Sequence, residues 1–517
     1  MPYQSHPFAQ THPDRLATVS TLLGLPTAQP HRSRVLELGC ASGGNIIPMA
    51  ESMPEATFLG IDRSARQVEE GSRCVTALGL TNIELRQQDV LDISPDLGEF
   101  DYIICHGVYS WVPRAVQDKI LAICKGHLAP TGVAYVSYNT LPGWHLRGMV
   151  RDMMLFHTEQ FETPSEQATH ARALLAFLTR AVEKENTPYS GVLKSELASL
   201  QRHADYYLLH EQLEEHNEPL YFREFARRAG AAGLRYLAEA DIQTMVPSHF
   251  PPDVAEVLQR VSADLIHLEQ YMDFLRNRTF RQTLLCHADR EPDYHLSGER
   301  VSQFHLAAQL ERTVSPSDAP PPSHPQFRSP SGLTIGSAEP IVSAVLEILS
   351  ESWPRSVPFP DLISRARARL RGTAILARQQ LADEAKHLGR CLLEFHLAAP
   401  RLLDLRVRPT LGTTTVSTRP ETGRLAKWQA ERGNRVTNLR HELVELDEFG
   451  REVIRRLNGA TDRAALLRGL VEKVRAGDFT VQKDGQVVSD PVILESVLRD
   501  SLDQQLQTFA KQSLLVK

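Results

Sequence analysis

Residues 35–45 place a short apolar strand directly before a turn of small residues, with the sequence Val-Leu-Glu-Leu-Gly-Cys-Ala-Ser-Gly-Gly-Asn. A second apolar run starts at Phe58 and ends at Asp62. Glycine and alanine let backbone N–H groups approach a ligand above the strand, and an acid at the end of the neighbouring strand can accept hydrogen bonds from ribose hydroxyls. The pair predicts a nucleotide-like cofactor. The alternative is a turn that binds nothing, because turns also need glycine for steric reasons.

The N-terminal third of the chain continues with alternating strand and helix patterns, which predict a doubly wound α/β fold. The candidate strands are short apolar runs closed by Gly, Asp or Asn, at 34–39, 57–62, 83–90, 102–107 and 132–139. Helical crossovers between them make the sheet parallel, and such sheets bind ligands at the carboxyl ends of their strands. The residues at those ends are Gly39 to Asn45, Asp62, Asp89, His106 to Trp111 and Ser137 to Trp144.

Cysteine spacing and hydropathy bear on the compartment. The six cysteines, at 40, 74, 105, 124, 286 and 391, form no C-x-x-C pair and no zinc spacing, which predicts a reducing compartment and no metal site. The N-terminus lacks a basic stretch followed by an apolar run, and no 18-residue apolar segment occurs. We therefore expect a cytoplasmic protein with no membrane contact.

Charge is divided unevenly along the 517 residues. Residues 1–323 carry 28 Lys and Arg against 40 Asp and Glu, a net charge of −12, whereas residues 324–517 carry 29 against 23, a net charge of +6. An acidic N-terminal region disfavours a nucleic-acid substrate and tolerates a cationic or neutral one.

Two later strands complete the predicted sheet. Residues 221–233 have a helical pattern, 234–241 form a sixth strand and 283–287 a seventh, so the core reaches about residue 290. Between the fifth and sixth strands, a helical insertion at 145–220 is expected to cover the strand ends as a lid that excludes water and shapes the acceptor pocket. The alternative is an insertion without a role at the site.

Beyond residue 290 the sequence predicts two winged-helix-like modules of mixed α+β structure. A Ser/Pro-rich segment at 313–332 suits a linker or a long hairpin tip, with a boundary near 325. Helices at 338–351, 359–371 and 376–397 precede a strand at 402–407, and a similar order ends in a Lys483-Asp-Gly485 hairpin and a helix opened by Asp490 and Pro491.

Winged helices often bind DNA, and the second of these helices, at 359–371, carries four arginines that could contact a nucleic acid. Arg365, Arg367, Arg369 and Arg371 fall on different helix faces, which is typical of a solvated helix and not of a recognition helix. Docking of a protein acceptor, or homodimerisation, fits these modules better than nucleic-acid binding.

The turn Glu37-x-Gly-x-Ala-x-Gly43, the acid Asp62 and the pair Gln88-Asp89 resemble the class I S-adenosylmethionine-dependent methyltransferases, whose fold is Rossmann-like. The resemblance implies that residues 39–45 hold the methionine part of the cofactor, that Asp62 holds the ribose, and that Asp89 and Val90 contact the adenine. Ala41 departs from the commoner glycine. The candidate cofactor-binding residues are Glu37, Gly39, Cys40, Ala41, Gly43, Gly44, Asn45, Asp62, Arg63, Asp89, Val90, His106 and Gly107.

Further stretches resemble the bacterial methyltransferases that carry a methyltransferase regulatory domain, a group that includes lysine methyltransferases of rickettsial outer-membrane proteins. These stretches lie at 3–13, 37–45, 105–113, 137–144, 207–211, 218–222 and 277–286. The expected domains are an N-terminal arm (1–30), the cofactor-binding core (31–144), the lid (145–220), a regulatory region completing the sheet (221–325) and the two winged-helix-like modules (326–410 and 411–517). The resemblance also implies that Tyr3, Gln10 and His12 fold over the cofactor; a surface arm is the alternative.

Methyl transfer from a sulfonium needs alignment and an amine with a free lone pair, but no metal. An aromatic slot would lower the pKa of a lysine amine by desolvation, so Tyr109 and Trp111 after the fourth strand, with Tyr138 and Asn139 at the fifth, are the candidate catalytic residues. The alternatives are that Tyr109 and Trp111 are core aromatics, that His106 is a buried hydrogen-bonded imidazole, and that Cys40 and Cys105 are apolar fillers.

Three functions follow from this sequence. The first is an S-adenosylmethionine-dependent methyltransferase that acts on lysine side chains of a protein. The second is a methyltransferase of small molecules, such as secondary metabolites. The third is a regulatory protein that binds the cofactor without turnover, which the intact turn and ribose acid disfavour.

Overall fold

The computed structural model describes residues 5–313, 324–370, 378–399, 401–477, 479–483, 486–488 and 490–517. Tyr3, residues 314–323 of the Ser/Pro-rich segment, Arg371 and the Asp484-Gly485 turn lie outside these residues. Over the described ranges, every helix is too short or too polar to cross a lipid bilayer.

Seven strands form the central sheet: β1 (Arg34–Leu38), β2 (Thr57–Asp62), β3 (Ile83–Gln87), β4 (Phe100–Cys105), β5 (Leu128–Asn139), β6 (Leu234–Glu239) and β7 (Phe280–His287). Their order is β3-β2-β1-β4-β5-β7-β6. The first five strands are parallel, and β7 runs antiparallel between β5 and β6. The predicted doubly wound α/β sheet, with its two late strands, is confirmed.

Eleven helices accompany this sheet in the described residues up to 290: α1 (Pro13–Leu22), α2 (Ile46–Ser52), α3 (Ala65–Leu78), α4 (Arg114–His127), α5 (Trp144–Thr158), α6 (Pro164–Ala181), α7 (Pro188–Gln201), α8 (Asp205–Gln212), α9 (Phe222–Ala231), α10 (Pro252–Val261) and α11 (Leu265–Arg276). Successive strand residues point to opposite faces, so each strand feeds two apolar layers. Val35 packs with Leu16 of α1, and Leu36 packs in the layer of Ile120 of α4.

Helices α5 to α8 form the insertion and have a hydrophobic cluster of their own. Its buried members include Met154, Leu175, Leu193 and Leu208, one from each helix. Thr163 and Thr187 cap α6 and α7, each accepting a hydrogen bond from a backbone N–H of the first helical turn. The insertion is therefore a packed helical unit, and its last helix leads back to the strand ends.

The described residues of the first C-terminal module form two three-stranded sheets and three helices. Its elements are β8 (His305–Ala307), β9 (Glu311–Arg312), β10 (Gln326–Arg328), β11 (Thr334–Gly336), α12 (Pro340–Ser352), β12 (Val357–Pro358), α13 (Phe359–Arg369), α14 (Arg378–Ala398) and β13 (Asp404–Arg406). β8 lies between β12 and β13. β9 pairs antiparallel with β10, and β10 pairs antiparallel with β11. β8 precedes the expected boundary near 325, which stays a prediction.

The second module follows with α15 (Arg424–Arg432), β14 (Arg435–Thr437), β15 (Leu443–Glu445), α16 (Glu448–Ile454), α17 (Arg463–Arg475), β16 (Gln482–Lys483), β17 (Gln486–Val487) and α18 (Pro491–Lys511). Asp490 caps α18 as predicted, because its carboxylate accepts hydrogen bonds from the N–H groups of Val492 and Ile493. The module docks on the core, where the Leu425 N–H donates to Glu51 and Arg424 donates to the Leu78 carbonyl.

Candidate active site

The turn after β1 adopts left-handed backbone at alternate positions. The φ angles are +74° at Gly39, +48° at Ala41 and +77° at Gly43. An L side chain is strained in this region, so Ala41 needs an external restraint. Its N–H donates to Oδ2 of Asp62 over 2.8 Å. The acid at the end of β2 thus holds the turn at the end of β1.

A cavity of about 570 Å³ opens at the carboxyl ends of β1, β2 and β4. That volume lies in the range of small-molecule and cofactor sites. Its walls bring together most of the sequence-predicted cofactor residues, namely Glu37, Gly39, Cys40, Ala41, Asn45, Asp62, Arg63, Asp89, Val90, His106 and Gly107. Trp111 lines the same cavity.

The far end of the cavity suits a ribose and an adenine. Asp62 receives two backbone hydrogen bonds, from Ala41 and from Ser64, which fix its carboxylate at the end of β2. Each carboxylate oxygen has a further lone pair that can accept from a hydroxyl. Asp89 lies 3.7 Å from Arg63 and caps a short turn, and Val90 presents an apolar face beside it.

A buried carboxylate lies at the other end. Glu37 is 3% exposed, and its Oε1 accepts a hydrogen bond of 2.7 Å from the Asn45 amide. Its Oε2 has no hydrogen-bond partner in the part of the chain that the structure describes, although Glu37 lines the cavity. A buried acceptor without a partner is unfavourable, and the α-ammonium of a bound amino acid would satisfy it. The residues present therefore fit the methionine part of S-adenosylmethionine.

Glu37 predicts that cofactor affinity depends on pH. Burial raises the pKa of Glu37 to about 7. Since the bound ammonium needs the ionised carboxylate, binding at lower pH must first remove a proton. We expect the affinity for S-adenosylhomocysteine to rise on the order of tenfold from about pH 5.5 to about pH 7.5 and then to level off. Calorimetric titrations across this range measure it. Glu37→Gln is the control and should bind weakly with a flat profile; an equally steep profile in that variant would assign the effect to another group.

The N-terminal arm closes over the turn. The N–H of Gly44 donates to Oγ of Ser5 over 2.6 Å, and the N–H of Phe8 donates to Oδ1 of Asn45 over 2.9 Å. Ser5 and Phe8 both line the cavity. Neither residue was predicted from the sequence, which pointed to Gln10 and His12 of the same arm.

Gln10 and His12 serve other contacts, so the expectation that they cover the cofactor is corrected. The Gln10 amide reaches Asp241 at 3.4 Å, and His12 caps α1. The His12 ring lies 5.2 Å from the ring of His441 in the second module. His441 in turn lies 2.9 Å from Oδ1 of Asn45, so the C-terminal module contacts the residue that holds Glu37.

His106 is held at the end of β4 by a short hydrogen bond. Its Nδ1 lies 2.8 Å from the Tyr135 hydroxyl, and its ring centroid lies 3.8 Å from that of Phe8. Burial lowers the pKa of His106 to about 3, so the imidazole is neutral at physiological pH. His106 was predicted either to bind the cofactor or to be a buried, hydrogen-bonded imidazole. The structure shows the hydrogen bond, and the same residue also lines the cavity.

Tyr109 and Tyr138 do not reach the cavity, which corrects their assignment as candidate catalytic residues. Both are at most 1% exposed, and the Tyr138 ring stacks on Phe225 with centroids 4.0 Å apart. Their carbon-rich rings fill the apolar layer under α9 instead. Only tertiary packing distinguishes these tyrosines from Trp111, which lines the cavity and meets Trp144 edge to face at 5.9 Å.

Gly43 and Gly44 also act through packing. A Cβ at Gly43 would lie 2.8 Å from the Ile47 side chain, and one at Gly44 would lie 2.3 Å from the Ser5 carbonyl oxygen. Neither residue is part of the cavity wall. The glycines therefore admit a neighbouring helix and the N-terminal arm, and the direct cofactor contact expected of both stays a prediction.

Asn139 is a positioning residue. It is 3% exposed, and its amide donates to Oδ1 of Asn217 over 2.9 Å. The next residue, Glu218, donates its N–H to the Ser110 carbonyl. Together with Arg151, which donates to the Glu214 carbonyl, these contacts anchor the loop after α8 beside the strand ends. The expected contact of Asn139 with the acceptor is replaced by support of this loop.

The lid contributes an acidic wall that sequence reasoning did not single out. Its lining residues are His210, Glu211, Glu214, Glu215 and His216. Glu214 accepts a hydrogen bond of 2.8 Å from Nδ1 of His210. Burial raises the pKa of Glu211. The only sequence signal was the family-like stretch 207–211, which marks the region without indicating that its carboxylates face the turn after β1.

Known proteins match this chain along its whole length. Residues 35–132 match a family described as a methyltransferase domain, residues 204–287 one described as a predicted methyltransferase regulatory domain, and residues 418–514 one described as the PKMT C-terminal winged helix domain. With the sheet order and the cavity, these matches define an S-adenosylmethionine-dependent methyltransferase of class I. Its cofactor is S-adenosylmethionine.

The chain belongs to the family of the rickettsial PKMT proteins. It is 35% identical over 524 residues to the uncharacterized protein RP789 of Rickettsia prowazekii. This alignment covers 100% of this chain and 93% of the relative. It also matches PKMT2 from Rickettsia typhi at 29% identity and a TM-score of 0.89, over 100% of both chains. PKMT2 in complex with AdoHcy matches at 30% identity and a TM-score of 0.88, again over 100% of both chains.

Proposed function

We propose that this methyltransferase modifies lysine side chains of a protein acceptor. The observation that carries the proposal is the acidic wall of the lid. Glu211, Glu214 and Glu215 line the same cavity as Asp62 and the turn after β1. Carboxylates attract a protonated amine and repel an anionic acceptor. A long, flexible lysine side chain can enter such a cavity while the rest of its protein stays outside.

When bound, the cofactor would supply a methyl group on a positive sulfur, which would pass to the lone pair of an amine as the carbon–sulfur bond breaks and a neutral thioether leaves. The residues of this chain must therefore bind the lysine as ammonium and then accept its proton. The lid carboxylates serve the first need. Glu211 serves the second, because burial raises its pKa and makes it a stronger base than an exposed glutamate.

Trp111 forms the apolar side of the same entry. Its indole lines the same cavity as the carboxylates and meets the ring of Trp144 edge to face. A neutral amine loses less hydration free energy than an ammonium when it leaves water for an apolar surface. The indole of Trp111 therefore favours the deprotonated form of the lysine. We assign Trp111 to alignment of the lysine stem.

The C-terminal modules fit protein docking better than nucleic-acid binding. Two of the three arginines of α13 are neutralised, because Arg367 pairs with Glu384 and Arg369 pairs with Glu351 at 2.7 Å. Counterion release requires such free cations. We also place the protein in the cytoplasm, a proposal supported by six free cysteines, five of them buried.

Neutralising the acidic wall tests the proposal. In the triple variant Glu211→Gln, Glu214→Gln and Glu215→Gln, we expect kcat/KM for a lysine-containing acceptor protein to fall on the order of a hundredfold, because attraction and proton acceptance are both lost. Affinity for S-adenosylhomocysteine should stay within about threefold of the wild type. Radiolabelled methyl transfer to lysate proteins, resolved by size and followed by amino-acid analysis, measures the activity.

The matched control is Glu183→Gln, Lys184→Gln and Glu185→Gln, on an exposed loop of the same lid. It should keep wild-type transfer. Label in small extractable products, or on residues other than lysine, would contradict the proposed acceptor. Unchanged transfer in the acidic-wall variant would contradict the assigned role of the wall.

A further inference from the structure

A second cavity, of about 360 Å³, lies where the N-terminal arm meets both C-terminal modules. Asp14 belongs to α1, Trp353 and Asp404 to the first module, and Arg440 and Glu442 to the second, and all of them line it. This junction cavity shares no lining residue with the cofactor cavity. The proposed methyl transfer does not involve the junction cavity.

Three arginines and two carboxylates form a largely buried cluster at the junction, and four of them, Asp14, Asp404, Arg406 and Arg440, line the cavity. Arg406 contacts Asp14 at 3.2 Å and Asp404 at 2.7 Å. Arg408 lies 3.8 Å from Asp14, and Arg440 pairs with Asp404. The cluster thus carries one positive charge in excess of its carboxylates.

The rest of the wall does not cancel this charge. Arg15 pairs with Asp241 at 3.4 Å, and Arg401 lies 4.0 Å from Glu442. Burial lowers the pKa of His396 to about 4, and burial followed by the nearby His441 and arginines lowers that of His12, so both histidines are neutral. The excess at neutral pH is therefore that of the buried cluster.

Among the arginines that line the cavity, Arg440 has unused hydrogen-bonding capacity. It is 6% exposed, and its guanidinium carbon lies 4.4 Å above the Trp353 ring. Its Nε and Nη1 are buried without a hydrogen-bond partner among the described residues. Burial, and then the neighbouring Arg406, lower the pKa of Arg440, although its Nη2 pairs with Asp404. Buried donor groups without a hydrogen-bond partner are unfavourable.

We propose that the junction cavity binds a small singly charged carboxylate, with its carboxylate on the Arg440 and Arg406 side. One negative charge balances the cluster, whereas a phosphate dianion would exceed it and also meet Asp404 and Glu442. The indole of Trp353 and the buried Leu403 and Leu405 in the wall accommodate a short apolar tail. The volume admits a ligand of several carbon atoms.

Such a ligand would join three parts of the chain. Arg440 immediately precedes His441, whose ring contacts Asn45 in the cofactor site. An anion held between Arg440 and Arg406 therefore fixes the backbone segment through which the second module reaches the turn after β1.

Calorimetric titration with sodium butyrate tests the proposal, using the full chain saturated with S-adenosylhomocysteine so that the cofactor cavity is filled. At constant ionic strength we expect butyrate to bind in the millimolar range, with butyramide and inorganic phosphate each at least about tenfold weaker. No heat up to about 50 mM butyrate, or tighter binding of phosphate, would overturn it.

Two variants locate the binding. Arg440→Met removes the charge, and Ser331→Trp fills the cavity from its exposed edge while leaving the arginines in place. Each should weaken butyrate at least about tenfold, whereas Arg499→Met and Thr334→Trp, which lie outside the cavity, should bind like the wild type. If Arg440→Met fails to fold, Ser331→Trp still decides, and wild-type butyrate affinity in it would refute the site.

Discussion

Replacing Asp62 by alanine is expected to weaken S-adenosylhomocysteine binding by about a hundredfold, which corresponds to about 2.7 kcal/mol. Two effects add. The ribose hydroxyls lose a charged acceptor, and the Ala41 N–H loses the 2.8 Å hydrogen bond that holds the turn in its left-handed conformation. Isothermal calorimetry of the purified full chain measures the loss.

Asp62→Asn separates the two effects, because an amide oxygen can still accept from one partner. We expect it to lose about tenfold in affinity, between the wild type and Asp62→Ala. Asp253→Ala, an exposed acid at the start of α10, is the control and should bind normally. Wild-type affinity in a folded Asp62→Ala would show that the cofactor lies elsewhere.

Replacing Gly44 by alanine is expected to weaken the cofactor by about thirtyfold and to release the N-terminal arm. The added Cβ would lie 2.3 Å from the Ser5 carbonyl oxygen and 2.7 Å from the His6 nitrogen, so backbone must move. Overpacking of this kind costs about 2 kcal/mol. Ser5 and Phe8 would leave the cavity wall, and the 2.6 Å hydrogen bond to Ser5 would break.

Calorimetry and limited proteolysis of the arm measure these two consequences. Gly126→Ala in α4 is the matched control, because its added Cβ meets no atom within 4 Å. It should leave cofactor affinity and arm cleavage unchanged. If the arm of Gly44→Ala stays protected from proteolysis and the cofactor affinity is normal, the backbone of the turn moves and the arm keeps its position.

The strands and their ends were predictable because their signals are local. An apolar run such as Phe58 to Ile61 predicts a strand, and the polar residue Asp62 marks where that strand ends. The alternation of such runs with helical patterns predicts a parallel sheet. The two late strands at 234–239 and 280–287 were found in the same way. Cofactor residues at strand ends followed directly, because parallel strands bring those ends to one edge.

The roles of individual aromatic residues were not predictable. Tyr109 and Trp111 are two positions apart in one short turn, yet Tyr109 packs on Phe225 and Trp111 lines the cavity. Which of the two is buried depends on where α9 lies, about a hundred residues away in sequence. The packing contacts of Gly44 with Ser5 and of Asn139 with Asn217 have the same origin, because each partner is remote in sequence.

The sequence alone determined the sheet and predicted a nucleotide-like site at its strand ends, because these depend on residue period and on side chains within one strand and its turn. The resemblance of that turn to class I methyltransferases indicated the cofactor, and the contact of Asp62 with the ribose stays a prediction. Tertiary structure alone decided that Ser5 and Phe8 close the cavity, that Glu211, Glu214 and Glu215 form its acidic wall, and that His441 reaches Asn45. These contacts join segments up to 396 residues apart, and their partners are selected by packing of whole helices and modules, which leaves no local pattern in the chain.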